Sequence, residues 1–177
     1  MDEPLATLAT MEDVRAVLEL PRKRLLGVEN EFRIRSEWLI ALIDEIAASG
    51  EYPYNATVKR MAADRLGIPR QSDDWYAREG DVLSLLIYNA QCFRSSDKYR
   101  RDGFRPFDSS VLDEAGDGGS LEILSDGLMG SNVVPVKVRS VNGKLYAMRA
   151  KMRKSYIAPF GQPVRIVKAE AQTNGNR

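Results

Sequence analysis

The chain has 177 residues, with 26 Lys and Arg against 25 Asp and Glu, no His and a formal net charge of +1. A hydrophobic fraction of 44% with 29% charged residues belongs to a globular protein with a buried core rather than to a disordered chain. The missing histidine excludes Ser-His and Cys-His nucleophile systems and His-ligated zinc, the lone Cys92 excludes an internal disulfide, and no apolar run reaches the length of a membrane helix.

The acidic start, MDEPLATLATMEDV, has no basic-then-apolar leader, so no secretory signal is expected, and with its single cysteine the protein is expected to be cytoplasmic. Thr10 and Asp13 have the spacing of a helix start, followed by Val14, Val17 and Leu18 at helical intervals; Pro21 breaks the helix and leaves PRKRLLG as a basic joint. The clearest helix follows. Ser36 caps it, Leu39, Leu42, Ile43 and Ile46 form one apolar stripe, and Gly50 ends it. Asn55 is expected to cap the next, with Val58, Met61, Ala62 and Leu66 on one face and Gly67 as the stop. A further helical region runs from about Ser72 to Phe93, with a break at Gly80. Its second part, DVLSLLIYNAQCF, is apolar almost all round and predicts the central helix of the core, with Cys92 as a small core residue.

Ala63-x-x-x-Gly67 has the spacing of a helix-turn-helix: a small residue lets the helices approach and glycine makes the turn. A second helix from Ser72 would present Arg70, Gln71, Ser72 and Arg78 to DNA. Asp73 stands where an apolar packing residue belongs, and Asp73 and Asp74 read as N-terminal caps, so an ordinary helical hairpin is the competing explanation.

The stretch SSDKYRRDGFRPFD, 95–108, reads as a connector whose aromatics tuck into the core while its arginines stay wet. Residues 109–131 carry five acids and no base; the Gly-rich part from Asp113 to Asp126 is the best boundary. Asp113, Asp117, Glu122 and Asp126 suggest a metal site only weakly, because Ala115 and Leu124 occupy calcium-loop ligand positions and no Glu-x-Lys triplet follows.

After Asn132 the period becomes two. Val134, Val136 and Val138 alternate with Lys137 and Arg139, and Tyr146, Met148, Ala150 and Met152 alternate with Arg149, Lys151 and Arg153. Asn142-Gly143 signals a hairpin. Placing all these apolar residues on one side requires a three-residue loop, Val141-Asn142-Gly143, which pairs Val138 with Tyr146 and leaves the cations outside. Val164 to Val167 and Leu121 to Leu124 supply further strands.

The expected fold is therefore α+β: a helical domain over 1–108 with a candidate helix-turn-helix, an acidic Gly-rich linker with a short strand over 109–131, a basic antiparallel β-sheet or small barrel over 132–170, and a flexible tail over 171–177. Residues 132–177 hold ten basic residues and one acid, which is the composition of a phosphate-facing surface. The expected function is non-catalytic nucleic-acid or nucleoprotein binding, DNA ahead of RNA. Lys137, Arg139, Arg149, Lys151, Arg153 and Arg165 would contact phosphate, with Arg70 and Arg78 as secondary contacts and Tyr156 and Phe160 available to stack on bases. No cofactor or metal is expected. The alternative is a structural or assembly protein, such as a phage or multiprotein-complex component, whose β-domain docks a protein partner. A third possibility is that the basic face binds an acidic protein, or the chain's own acidic segment.

Overall fold

Residues 6–20, 34–69, 78–127, 129–149, 155–156 and 162–168 are described by the computed structural model. The basic joint after Pro21, the start expected at Ser72, most of the Pro159–Pro163 turn and the C-terminal tail lie outside these residues.

The first helix, α1 (Met11–Glu19), opens on the expected pair as a capping box: the Thr10 hydroxyl accepts from the Asp13 N–H at 3.2 Å, and the Thr10 N–H donates to the Asp13 carboxylate at 2.9 Å. The Thr10 N–H and hydroxyl hold the Asp13 carboxyl below its ordinary value of 3.8. The cap's ionic contribution is thus complete above ordinary carboxylate pH and is lost as the pH falls through the lowered value.

Two three-residue strands, β1 (Ala6–Leu8) and β2 (Ile34–Ser36), pair in parallel. Ser36 ends β2 and caps α2 (Glu37–Ala48), its hydroxyl accepting from the Leu39 N–H at 3.1 Å. Leu39, Leu42, Ile43 and Ile46 are buried, and Gly50 takes φ +88 just beyond the helix end. Tyr54, not Asn55, is the N-cap residue of α3 (Asn55–Leu66), and no side chain bonds to that end. The Asn55 cap expectation is off by one because the tight Tyr52–Tyr54 turn already sets the helical direction, with the Tyr54 N–H bonded to the Tyr52 carbonyl at 2.8 Å. At the other end, Gly67 at φ +69 donates to Asp64 O at 3.2 Å and Ile68 N–H to Ala63 O at 2.9 Å, the paired bonds of a Schellman stop.

The central helix is α4 (Arg78–Lys98). Gly80 lies in its first turn and does not interrupt it. Leu83, Leu86, Ile87 and Ala90 are almost fully buried, and the helix packs on α1, α2, α3 and β2. Asn89 Nδ2 donates to Ile34 O at 3.2 Å, and Arg35 donates to Glu37 and Asp97 at 2.6 Å each while lying over Phe93, which ties β2 to α2 and α4. Burial pushes the Cys92 thiol up to about 12, so it is protonated at neutral pH and serves as the expected small core residue. A helix-turn-helix finds no support: among the described residues the helix after Gly67 starts only at Arg78.

Beyond α4 a short 3-10 turn, η1 (Arg100–Asp102), leads into an antiparallel sheet. Its strands are β3 (Arg105–Pro106), β4 (Ser120–Gly127), β5 (Gly130–Val141), β6 (Lys144–Arg149), β7 (Ser155–Tyr156) and β8 (Pro163–Val167). They lie in the order β3-β8-β4-β5-β6-β7 and curl into a half-barrel, so the chain has the expected α+β class. A second core lines the inner face: Leu121, Ile123, Val136, Val138, Ala147 and Val164, covered by Val111 of α5 (Ser109–Ala115) and by Phe107. Phe104 is buried as well, while Arg100 and Arg101 stay exposed, as expected for the connector.

The hairpin register differs from expectation. Val141 pairs with Lys144, Arg139 with Tyr146 and Val138 with Ala147, so the loop is two residues, Asn142 at φ 51 and Gly143 at φ 76. Positive φ at both positions is the type I′ turn that Asn-Gly favours. The inward row of β6 is Leu145 and Ala147, not Tyr146 and Met148. Ala147, opposite Val138, lies in the core that α5 covers, which leaves Tyr146 on the other face.

Candidate nucleic-acid interface

Alternation along β5 sets the site. Val136 and Val138 are 2% and 0% exposed, and the residues between and after them, Lys137 and Arg139, are exposed on the outer face. The I′ turn brings β6 back in a register that places Tyr146 directly across from Arg139 and Met148 across from Lys137, with Lys144 at the end of the same row. The Lys144 ammonium lies 5.8 Å from the centre of the Tyr146 ring, a cation–π distance. Lys137 Nζ donates to the hydroxyl of Ser120, its neighbour on β4.

Four of the five acids of the 113–126 segment have partners other than Lys137, Arg139 and Lys144. Glu122 accepts from Arg165 Nε at 2.5 Å, Glu114 pairs with Arg105, and Asp126 meets Lys98 at 3.3 Å and the Tyr99 hydroxyl at 3.4 Å. Asp117 accepts the Ser140 N–H at 2.9 Å. Lys137, Arg139 and Lys144 enter no ion pair among the described residues. Between Asp126 and Glu170 the sequence holds no acid at all, so none is available from the β5–β6 ribbon itself.

Arg165 shares the outer face by its register opposite Glu122, but among the described residues it is ion-paired and Lys137 and Arg139 are not. It is bonded to Glu122, donates to Asp102 O at 2.9 Å and stacks over Phe104 at 4.5 Å, an arrangement that fastens η1 to the sheet. Here the chain's own acidic segment does neutralise part of its basic end. Position 149 pairs with Val136, and the side chain of Arg149 lies outside the described residues. Lys151, Arg153, Arg70 and Phe160 lie outside the described residues, as do the side chains of Arg78 and Tyr156. Sequence reasoning passed over Lys144 and assigned Tyr146 to the core; accepting the two-residue Asn-Gly turn identifies both as outward.

Asp113, Asp117, Glu122 and Asp126 do not converge: among the described residues no group of three or more acidic or cysteine side chains is placed to hold a metal ion. No helix is long and apolar enough to cross a membrane among the same residues. No protein-family model matches the chain, and no match was found among curated proteins or among solved structures.

Proposed function

We propose that the protein is a non-catalytic nucleic-acid-binding protein that contacts phosphates with the outer face of its β5–β6 ribbon. The observation that carries this reading is the grouping of Lys137, Arg139 and Lys144 on one solvent-facing surface without a carboxylate partner among the described residues. Three unneutralised cations on a rigid two-stranded ribbon release counterions from a polyanion on contact, a gain that requires no base reading. Ser120, the partner of Lys137 on β4, adds a hydroxyl of the kind that positions a backbone.

The salt dependence of binding tests it. With about three phosphates neutralised, the logarithm of the association constant should fall with the logarithm of salt concentration at a slope of about −2 to −3. Fluorescence anisotropy of a labelled oligonucleotide should then show roughly 20- to 40-fold weaker binding on going from about 50 to about 200 mM salt. The double variant Lys137→Glu/Arg139→Glu should flatten the slope by about two. Salt-independent binding, or a double variant that binds like the parent, overturns the reading.

A further inference from the structure

The same face is divided lengthwise. Its β5 row carries Lys137 and Arg139 between Pro135 and an exposed Val141; its β6 row is Tyr146 and Met148, closed by Lys144 opposite Val141. The cross-strand pairs Arg139–Tyr146 and Lys137–Met148 set the rows about 5 Å apart, and successive outward residues within a row are about 6.7 Å apart. Both Tyr146 and Met148 remain partly exposed, although the inner core is already filled by Leu145, Ala147 and α5. Core packing therefore does not explain an aromatic ring and a thioether in a field of cations.

We infer that the ligand of this face is a single-stranded nucleic acid, with its phosphates along the β5 row and its bases against Tyr146 and Met148. This inference rests on the nucleic-acid reading above and narrows it. A single strand has two chemically different sides, a phosphate side and a side of unpaired π-faces, and the ribbon offers a track for each. A duplex hides its π-faces in the stack and would leave the Tyr146 row in contact with nothing it could use. Stacking on an aromatic ring is tolerant of sequence because every base has a π-face, and Lys144 beside the ring adds a charge where the next phosphate would pass.

The test compares three anionic probes at one ionic strength: a single-stranded oligonucleotide, the same strand annealed to its complement, and polyglutamate of equal length. The single strand should bind at least about tenfold more tightly than the duplex. Tyr146→Ala should weaken single-strand binding by roughly five- to a hundredfold and leave duplex binding unchanged, while Tyr146→Phe should retain the parent affinity. Circular dichroism melts confirm that both variants fold, and Tyr146→Phe preserves the comparison should the alanine variant unfold. Equal affinity for single strand and duplex, or a folded Tyr146→Ala variant that binds the single strand like the parent, overturns this inference and leaves the phosphate-binding reading intact. Polyglutamate bound as tightly as the oligonucleotides, or no binding to any of the probes, overturns both.

Discussion

Leu86→Ala is expected to lower the unfolding free energy by about 2–5 kcal/mol. Leu86 has no exposed surface, and it sits in the middle of α4, the helix against which α1, α2, α3 and β2 all pack. Alanine is the better helix former, so the loss cannot come from helix propensity. It comes from the buried contacts removed and from a cavity that the surrounding elements, with β2, α2 and α4 held together through Arg35 and Asn89, close only in part. Urea denaturation followed by circular dichroism should show a lower midpoint with an unchanged slope. Met129→Ala, at a side chain 98% exposed, should change stability by less than about 0.5 kcal/mol. Equal effects from the two substitutions would mean that α4 is not the centre of the helical half.

Gly119→Ala is expected to cost about 3 kcal/mol, the upper end of what overpacking produces. A Cβ at this position would stand 2.3 Å from the carbonyl oxygen of Ala115, 2.8 Å from its carbonyl carbon and 3.0 Å from Gly116 O. All three are backbone atoms, so no rotamer change relieves the contact. The turn between α5 and β4 is also stitched to β5, with Gly118 N–H donating to Val138 O at 2.8 Å and Val138 N–H to Gly119 O at 2.9 Å. Pushing the turn aside breaks bonds at the residue between Lys137 and Arg139. The thermal midpoint should fall by about 6–12 °C, and oligonucleotide binding should weaken in the surviving folded protein. A variant with the parent's midpoint would show that the turn does not pack as described.

Much of the helical half can be read from local signals. Thr10, Ser36 and Gly67 act where their side chains or their freedom at positive φ place them, because caps are satisfied within four residues of chain. The paired strands β1 and β2 were invisible by the same logic: three residues each are too few to show alternation, and their partners are distant in sequence. In the sheet, the valines of β5 announced both the strand and the outward direction of Lys137 and Arg139. In the hairpin, the turn chemistry of Asn142-Gly143 prevails over the collection of every apolar residue on one side. Tyr146 and Met148 are thereby kept out of the core that α5 covers. Arg165 illustrates a different limit. Its alternation with Val164 and Ile166 is plain in the sequence, but its neutraliser, Glu122, lies 43 residues away and meets it only because β4 and β8 are neighbours.

Amide chemical-shift mapping during titration with a single-stranded oligonucleotide tests the assignment of the ribbon most directly. Perturbations should concentrate at Lys137, Arg139, Lys144, Tyr146 and Met148, with α2 and the interior of α4 unchanged. Shifts centred on α2 and α3, or an unperturbed β5–β6 ribbon at saturating ligand, would contradict it.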